Sequence, residues 1–253
     1  MTVKRKFICP LKPDLFSEVN EFILPKYRAG NAKVDKAYYE DFEKLLTTYE
    51  TISSNKKKDY VLQLSSIPFI DSTNRIRQDR ALHKPTHIYL GDSELEQYFA
   101  DVDSIYFVSV DLYNRFEEER LTPFLQEIGS VDSPRRIPIE GNLSWEEKEK
   151  LRGNTGHTYD IHQKDFDYEG LSVFLSQITP EKSSLLWSLL LRGIKPLNSW
   201  DAQKFFKGEY KWFYYRDHDR PFDAKFLKTL KQTRWLIDKD RNMSKPSDIL
   251  ISS

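Results

Sequence analysis

The spacing of apolar residues predicts several helices, because side chains three or four positions apart share one face of a helix. Residues 171–178 and 181–191 predict a helical pair broken at Pro180, and Ser144 with Glu147 predicts a capping box. The clearest helix starts near residue 35, and its broad apolar face consists of Tyr38, Tyr39, Phe42, Leu45, Leu46 and Tyr49.

Strands are predicted where short apolar runs are rich in β-branched and aromatic residues. These runs are residues 60–70, 88–90, 105–110 and 210–215, whereas residues 152–168 lack periodicity and predict the longest loop. Helices alternating with short strands predict a mixed α+β fold. We expect a helical segment plus a first α/β unit in residues 1–131 and a second α/β unit in residues 132–253.

Two segments of the chain resemble each other. Residues 67–71 (IPFID) and 84–90 (KPTHIYL) correspond to residues 234–238 (RWLID) and 245–251 (KPSDILI). Each copy predicts a strand–turn–strand unit in which Lys-Pro begins the second strand. The first copy continues into a helix and a buried strand, whereas the second is followed only by Ser252 and Ser253, so we expect this chain to be a fragment of a longer protein.

The repeat also carries a family resemblance. Trp235-Leu236 with Lys245-Pro246-Ser247-Asp248-Ile249 resembles a motif of sacsin-like proteins, very large chains headed by an ATPase of the gyrase, chaperone and histidine-kinase superfamily. Bacterial chains of this kind include ATP-binding proteins of unknown function, some linked to defence. Shorter matches are residues 24–27 (LPKY), 128–129 (IG), 134–135 (PR), 168–171 (YEGL) and 186–187 (LW).

The resemblance implies a region downstream of the ATPase: a non-catalytic scaffold that binds the rest of its own longer chain or a protein partner. The glycine content agrees with this expectation. Only nine of 253 residues are glycine, and no two are separated by a single residue. Nucleotide-binding loops need closely spaced glycines for the backbone to approach phosphates. We therefore expect no catalytic residue, no metal and no cofactor in this chain.

Composition narrows the alternatives further. Lys and Arg number 39, as do Asp and Glu, and a formal net charge of zero argues against a dedicated nucleic-acid-binding protein. The single cysteine, Cys9, excludes a disulfide scaffold and favours a reducing cytosol. The longest nearly uncharged apolar stretch has nine residues, 183–191, about half of a membrane span. We expect a cytoplasmic protein without a membrane partner.

Three clusters suggest chemistry but have simpler interpretations. Metal ligands are suggested by His157, Asp160, His162, Asp165 and Asp167, although a polar loop is equally typical of such a pattern. Asp217-His218-Asp219 suggests an oriented imidazole, yet a turn after a strand is favoured. Glu146 and Lys148, with Asp132 upstream, match the end of a nuclease motif but fall in a predicted helix.

Nucleic-acid binding or processing remains the alternative function, and its candidate residues are basic or aromatic. Arg75, Arg77 and Arg80 cluster in the first repeat, and Arg135-Arg136 form a second basic group. Tyr210, Trp212 and Tyr214 alternate with basic residues, which is typical of a base-stacking strand but also of a strand buried in a core. We favour the core interpretation of this strand, because Phe213 and Tyr215 on its other face suggest burial on both sides.

Overall fold

The computed structural model describes residues 14–30, 32–153 and 157–249 and confirms a mixed α+β fold. The chain divides into two compact units. Unit 1 comprises residues 1–74, 78–90 and 106–130, and unit 2 comprises residues 75–77, 91–105 and 131–253. Cys9 lies outside the described residues. No helix among the described residues has both the length and the apolar character needed to cross a bilayer.

Most helices begin at a side chain that accepts a backbone N–H, and such N-caps include Asp14, Asp35, Asp92, Ser144 and Asn198. The helices are α1 (Leu15–Glu18), α2 (Leu24–Arg28), α3 (Lys36–Thr51), α4 (Ser54–Ser65), α5 (Ser93–Tyr98), α6 (Val110–Arg115), α7 (Glu118–Glu127), α8 (Trp145–Arg152), α9 (Leu171–Ser176), α10 (Pro180–Ile194), α11 (Ser199–Phe205), α12 (Lys225–Gln232) and α13 (Pro246–Ile249). A π-helical turn, Val19–Ile23, joins α1 to α2, and a 3₁₀ turn spans Pro85–His87.

The strands form small antiparallel sheets. They are β1 (Ile70–Thr73), β2 (Arg80–His83), β3 (Phe107–Val108), β4 (Arg136–Glu140), β5 (Tyr159–Tyr168), β6 (Lys207–Tyr214), β7 (Arg216–Asp223), β8 (Leu236–Ile237) and β9 (Met243–Ser244). Unit 1 contains the sheet β2-β1-β3, and unit 2 contains the sheet β4-β5-β6-β7 and the hairpin β8-β9.

The core of unit 1 is built around the predicted apolar face of α3. Tyr38, Phe42, Leu45 and Leu46 are fully buried there, while Tyr39 is only half-buried against the core. Phe42 contacts the rings of Phe69, Phe116 and Phe124, so one aromatic side chain joins α3 to three other segments. Burial of such large rings is the main term that stabilises this unit.

Unit 2 packs helices α9, α10 and α12 near the start of its four-stranded sheet. Leu186, Leu189 and Leu190 of α10 are buried, as expected from their helical spacing. Tyr168, the last residue of β5, stacks on Phe226 of α12 at 5.7 Å between ring centroids. The predicted capping box of α8 is confirmed, with Ser144 and Glu147 exchanging side-chain to backbone hydrogen bonds.

The internal repeat corresponds to two hairpins. Strand β1 pairs with β2, and β8 pairs with β9, so each copy contains a strand–turn–strand unit, but its second strand is not the predicted one. The sequence placed that strand after Lys-Pro, whereas β2 and β9 both precede Lys-Pro and residues 88–90 are not one of the strands. The position of Lys-Pro within the unit was predicted wrongly. Pro85 and Pro246 each begin a helical turn after the second strand, because the fixed φ of proline and its missing N–H suit a first helical position.

Two further predictions are wrong. Residues 60–65, predicted as the start of a strand, belong to α4, because Tyr60 and Leu64 lie four residues apart on one buried helical face. Residues 159–168 form β5, the longest strand, rather than a loop. Pairing with both β4 and β6 satisfies the backbone of β5, which tertiary contacts provide without any apolar periodicity in the sequence.

Candidate functional site

The sheet of unit 2 has one face covered by helices, here called the closed face. Tyr210 and Trp212 point to it with 0% and 3% exposure, and half-buried Tyr214 packs against the same cluster. Leu143 and Phe222 complete this cluster. The burial of Tyr210 and Trp212 leaves no ring face for a base, so the core interpretation fits this strand better than the base-stacking one.

A polar network fills the edge of the closed face. The Tyr210 hydroxyl donates to Asp160 Oδ1 at 2.5 Å, and Arg152 Nε donates to the same hydroxyl oxygen at 2.6 Å. Lys148 Nζ and the Arg152 guanidinium also bind the Asp160 carboxylate. Burial, followed by the hydrogen bond to Asp160, raises the pKa of Tyr210 to about 12. These groups hold α8 on the sheet.

The five residues of the suggested metal cluster do not converge. Asp160 is held by Arg152 and Lys148, as described above. His162 contacts Glu209 at 2.6 Å on the opposite face of the sheet. Asp165 accepts the Lys225 amide, Asp167 binds Lys225 Nζ, and His157 lies just before β5. No group of three or more metal-ligating side chains is present among the described residues.

The Asp217-His218-Asp219 segment lies within β7 and not in a turn. His218 Nε2 hydrogen-bonds the Tyr214 carbonyl oxygen at 3.1 Å, and its ring stacks on Trp212 with 5.5 Å between centroids. Asp217 pairs with Lys211 at 2.7 Å. Neither aspartate is shown orienting the imidazole, which therefore acts as a packing group on Trp212.

The arginines of the first repeat are engaged by carboxylates. Arg75 donates through Nε and Nη2 to Glu96 Oε1 at 3.0 and 2.7 Å, and Arg77 lies 3.8 Å from Asp103. These pairs belong to unit 2. Arg77 has the longer of the two contacts, and its side chain is 48% exposed.

Arg80 belongs to unit 1 and forms an ion pair with a buried carboxylate, which the sequence did not indicate. Its Nε and Nη2 donate to the carboxylate of Asp71, whose side chain is fully buried. Asp111 and the Tyr39 hydroxyl bind the same guanidinium. Because these acceptors occupy its Nε and Nη2, Arg80 has a structural role in the hairpin, although 39% of its side chain is exposed.

Ser72 and His83, adjacent to this ion pair, form a contact that resembles a nucleophile–base pair. The Ser72 hydroxyl oxygen lies 2.8 Å from His83 Nδ1, but the hydroxyl donates its hydrogen to the Ala81 carbonyl oxygen. Nδ1 then acts as the donor to Ser72. Because Ser72 is also fully buried, this contact stabilises β1 against β2 and has no access to a substrate.

The remaining basic candidates, Arg135 and Arg136, lie at the start of β4. Arg135 is half-buried, and its carbonyl oxygen accepts the Glu169 amide. Arg136 places its guanidinium 3.1 Å above the Phe166 ring centroid and donates from Nη2 to the Lys207 carbonyl oxygen at 2.5 Å. The structure therefore directs Arg136 across the sheet towards β6.

The other side of the same sheet, here called the open face, exposes aromatic side chains. Tyr159 and Phe213 are register partners on β5 and β6, and paired residues of antiparallel strands share a face. They are 72% and 42% exposed, and Tyr215, in the turn after β6, is 86% exposed. Tyr159 and Phe213, with Tyr215 in the adjacent turn, are named the aromatic patch, and the Tyr215 ring contacts that of Tyr214 at 4.6 Å between centroids. The period of two correctly places Phe213 opposite Trp212, but the expected burial of Phe213 and Tyr215 on that face is wrong.

Charged side chains on the open face beside the aromatic patch pair with one another. His162 contacts Glu209, and Lys211 contacts Asp217 at 2.7 Å. The hydrogen bond from His162 lowers the pKa of the Glu209 carboxyl. This part of the open face is consequently apolar and aromatic, with a surrounding charge that is locally neutralised.

Tyr215 has an unusual backbone conformation. Its φ is 57°, in the left-handed region that glycine adopts without penalty and that bulky side chains rarely occupy. The residue connects Tyr214 to Arg216, which pair directly across the β6–β7 hairpin. A non-glycine residue here costs about 1 kcal/mol, and a cost of this kind is typical of positions with a functional role.

Comparisons with protein-family models, with curated proteins and with solved structures find no match to this chain.

Proposed function

We propose that this chain is a non-catalytic interaction region and that the open face of unit 2 is its protein-docking surface. The observation that carries the proposal is the aromatic patch, in which Tyr159 and Phe213 are exposed on the sheet face and Tyr215 is exposed in the adjacent turn. Tyrosine and phenylalanine supply large contact area for little loss of side-chain entropy and are enriched in protein interfaces.

The charge pattern favours a protein over a nucleic acid as the occupant of the patch. A nucleic-acid surface needs cations that are free to replace counterions at phosphates. Beside the patch, however, Lys211 and His162 are each already in contact with a carboxylate. A neutralised rim around exposed rings matches the polar rim and apolar centre of a protein interface.

In the context of the sacsin-like resemblance, the partner is the rest of a longer chain or a separate protein. This region would bind its partner through non-covalent contacts and would not catalyse a reaction itself. Any catalysis would come from an ATPase outside this chain. The alternative, nucleic-acid binding, can be distinguished by crosslinking, because it predicts that the same surface forms an adduct with RNA or DNA.

Site-specific photo-crosslinking in cells tests the proposal. A benzophenone amino acid replaces Phe213 in the full-length gene product, and the matched control carries it at Leu62, which is 69% exposed in unit 1. We expect a discrete protein adduct, or a crosslink to another part of the same chain, from position 213 only. Equal adducts from both positions, no adduct from position 213, or a nucleic-acid adduct there would contradict it.

Tyr215→Gly separates binding from folding. Glycine relieves the positive φ, so we expect an unfolding temperature equal to or above that of the wild type. Removing the Tyr215 ring should nevertheless reduce the yield of the adduct formed by benzophenone at position 213 about tenfold. This corresponds to the loss of a contact worth about 1.4 kcal/mol. An unchanged yield in a stably folded Tyr215→Gly protein would remove Tyr215 from the docking surface.

A further inference from the structure

A groove of 480 Å³ crosses the open face of the sheet at the end away from the aromatic patch. Strands β4, β5, β6 and β7 contribute to its floor, and α11 contributes Trp200, Gln203 and Lys204. All of its lining residues belong to unit 2. This volume lies within the range of small-molecule sites, about 300–1,000 Å³.

The groove carries an excess of positive charge that the rest of the open face lacks. Arg136, Lys164, Lys204 and Lys207 line it, against the two carboxylates Glu209 and Asp219. Lys207 is paired with Asp223 at 2.6 Å. Among the described residues, no carboxylate lies within the 4.0 Å ion-pair distance of Arg136, Lys164 or Lys204. Three cations are thus available to an anion.

Arg136 is the most constrained of these cations. Phe166 covers one face of its guanidinium, and its buried Nε has no hydrogen-bond acceptor among the described residues. Burial lowers the pKa of Arg136, since the charged form has lost water without gaining a carboxylate contact. A buried donor without an acceptor is costly, and a negative charge bound nearby reduces that cost.

Trp200 supplies an aromatic surface beside these cations. Its side chain is 64% exposed on α11, and Lys204 Nζ lies 4.5 Å from the ring centroid. An exposed indole next to cationic side chains can stack an aromatic ring of a ligand while the cations hold its anionic group.

We propose that this groove binds a nucleotide, with the phosphate held by Arg136, Lys164 and Lys204 and the base stacked on Trp200. The scarcity of glycine does not oppose this site, because the phosphate contacts come from side chains and not from a backbone loop. A single nucleotide is favoured over a nucleic-acid strand, since the basic side chains further along the face, Lys211 and His162, contact carboxylates.

Calorimetric titration of the purified chain with AMP tests the ligand class. Ribose 5-phosphate, inorganic phosphate and adenosine are titrated separately, and we expect each to bind at least about tenfold more weakly than AMP. The affinity for AMP should fall between about 50 and 200 mM salt, as required for a phosphate contact. Phosphate binding as tightly as AMP, a salt-independent affinity, or no binding of AMP would overturn the proposal.

Two variants with matched controls locate the site. Lys164→Gln and Trp200→Ala should each weaken AMP binding about tenfold, through loss of a charge-assisted hydrogen bond and of a stacking surface respectively. Lys239→Gln, at an exposed lysine outside the groove, and Trp145→Ala, at a 69% exposed tryptophan on α8, should leave the affinity unchanged.

Thermal unfolding of all four variants establishes that they are folded. Equal losses of AMP affinity in the groove variants and in the controls would overturn the assignment of the groove as the AMP site. If a single-stranded oligonucleotide binds more tightly than AMP, and if its binding requires Phe213 as well as Trp200, the ligand of this face is a nucleic-acid strand and not a single nucleotide. Because AMP binding does not require the aromatic patch, this test can fail while protein docking at Phe213 stands, and the reverse also holds.

Discussion

At the scale of single residues, the basic side chains that stand out in the sequence have different roles in the structure. Arg80 is held by the buried carboxylate of Asp71, whereas Arg136 lies at a groove without a carboxylate contact. Both are arginines in short basic clusters, and only their neighbours in space distinguish them. An arginine that pairs with a buried carboxylate stabilises the fold, whereas one without a carboxylate contact can pair with an anionic group of a ligand.

Arg80→Met should strongly destabilise unit 1, because it leaves the fully buried Asp71 carboxylate without its charge partner. We expect a loss of about 3–5 kcal/mol in the free energy of unfolding, measured by chemical denaturation. The double variant Asp71→Asn/Arg80→Met should recover part of this loss. Arg77→Met, at an exposed and longer ion pair, is the control and should change stability by less than about 1 kcal/mol. Similar losses in Arg80→Met and Arg77→Met would contradict the buried pair.

At the scale of elements, the two faces of the unit 2 sheet have different roles: the closed face packs in the core, and the open face is the proposed docking surface. Adjacent residues of β6 point in opposite directions, so Trp212 enters the core while Phe213 faces solvent. The β-bulge between Asp160 and His162 changes the register along β5, yet Tyr159 still pairs with Phe213. The same strand therefore contributes both to the core and to the docking surface.

Truncation of these two neighbours should have opposite consequences. Trp212→Ala removes a ring that is 3% exposed and should cost about 3–5 kcal/mol of unfolding free energy. Phe213→Ser removes a half-exposed ring and should cost about 1 kcal/mol or less while reducing partner binding. Denaturant titration of both variants checks this assignment, and a reversal of the two costs would show that β6 faces the other way.

At the scale of the whole molecule, a net charge of zero conceals many paired carboxylates. The pKa values of Glu50, Glu147, Asp160, Glu209 and Asp223 are all lowered in the folded protein. For Asp160, burial is the largest influence and raises the pKa, but the hydrogen bonds from Lys148 and Tyr210 together with the charges of Arg152 and Lys148 outweigh it. A carboxyl with a lowered folded pKa stabilises the fold above its unfolded pKa and loses that contribution as the pH falls through the folded value.

The protein should therefore lose stability as the pH is lowered from about 5 to 3. Asp160→Asn should be less stable than the wild type at pH 7, and its stability should depend less on pH across this range. Asp101→Asn, at an exposed carboxylate, is the control and should follow the wild-type pH profile. Thermal unfolding followed by circular dichroism measures both effects. A pH profile of Asp160→Asn parallel to that of the wild type would contradict the role of the Asp160 network.

Local signals in the sequence were sufficient for the helices and caps. The α3 face, the α10 leucines and the Ser144–Glu147 capping box depend on residues within one or two helical turns of each other, so spacing alone predicts them. The two hairpins were only partly predictable: the repeat indicated a strand–turn–strand unit in each copy, but β2 and β9 lie in the stretches that the sequence assigned to the polar turns.

Only the tertiary structure decided the identity of β5, the faces of the sheet and the candidate sites. Residues 159–168 are polar and aperiodic, and they form a strand because β4 and β6 satisfy their backbone from either side. The groove likewise joins Arg136, Lys164 and Trp200, which lie up to 64 positions apart in the chain. Sequence spacing determines which residues share a helix or a strand face, whereas the pairing of distant strands determines which of those faces meets the solvent and which charges remain unpaired there.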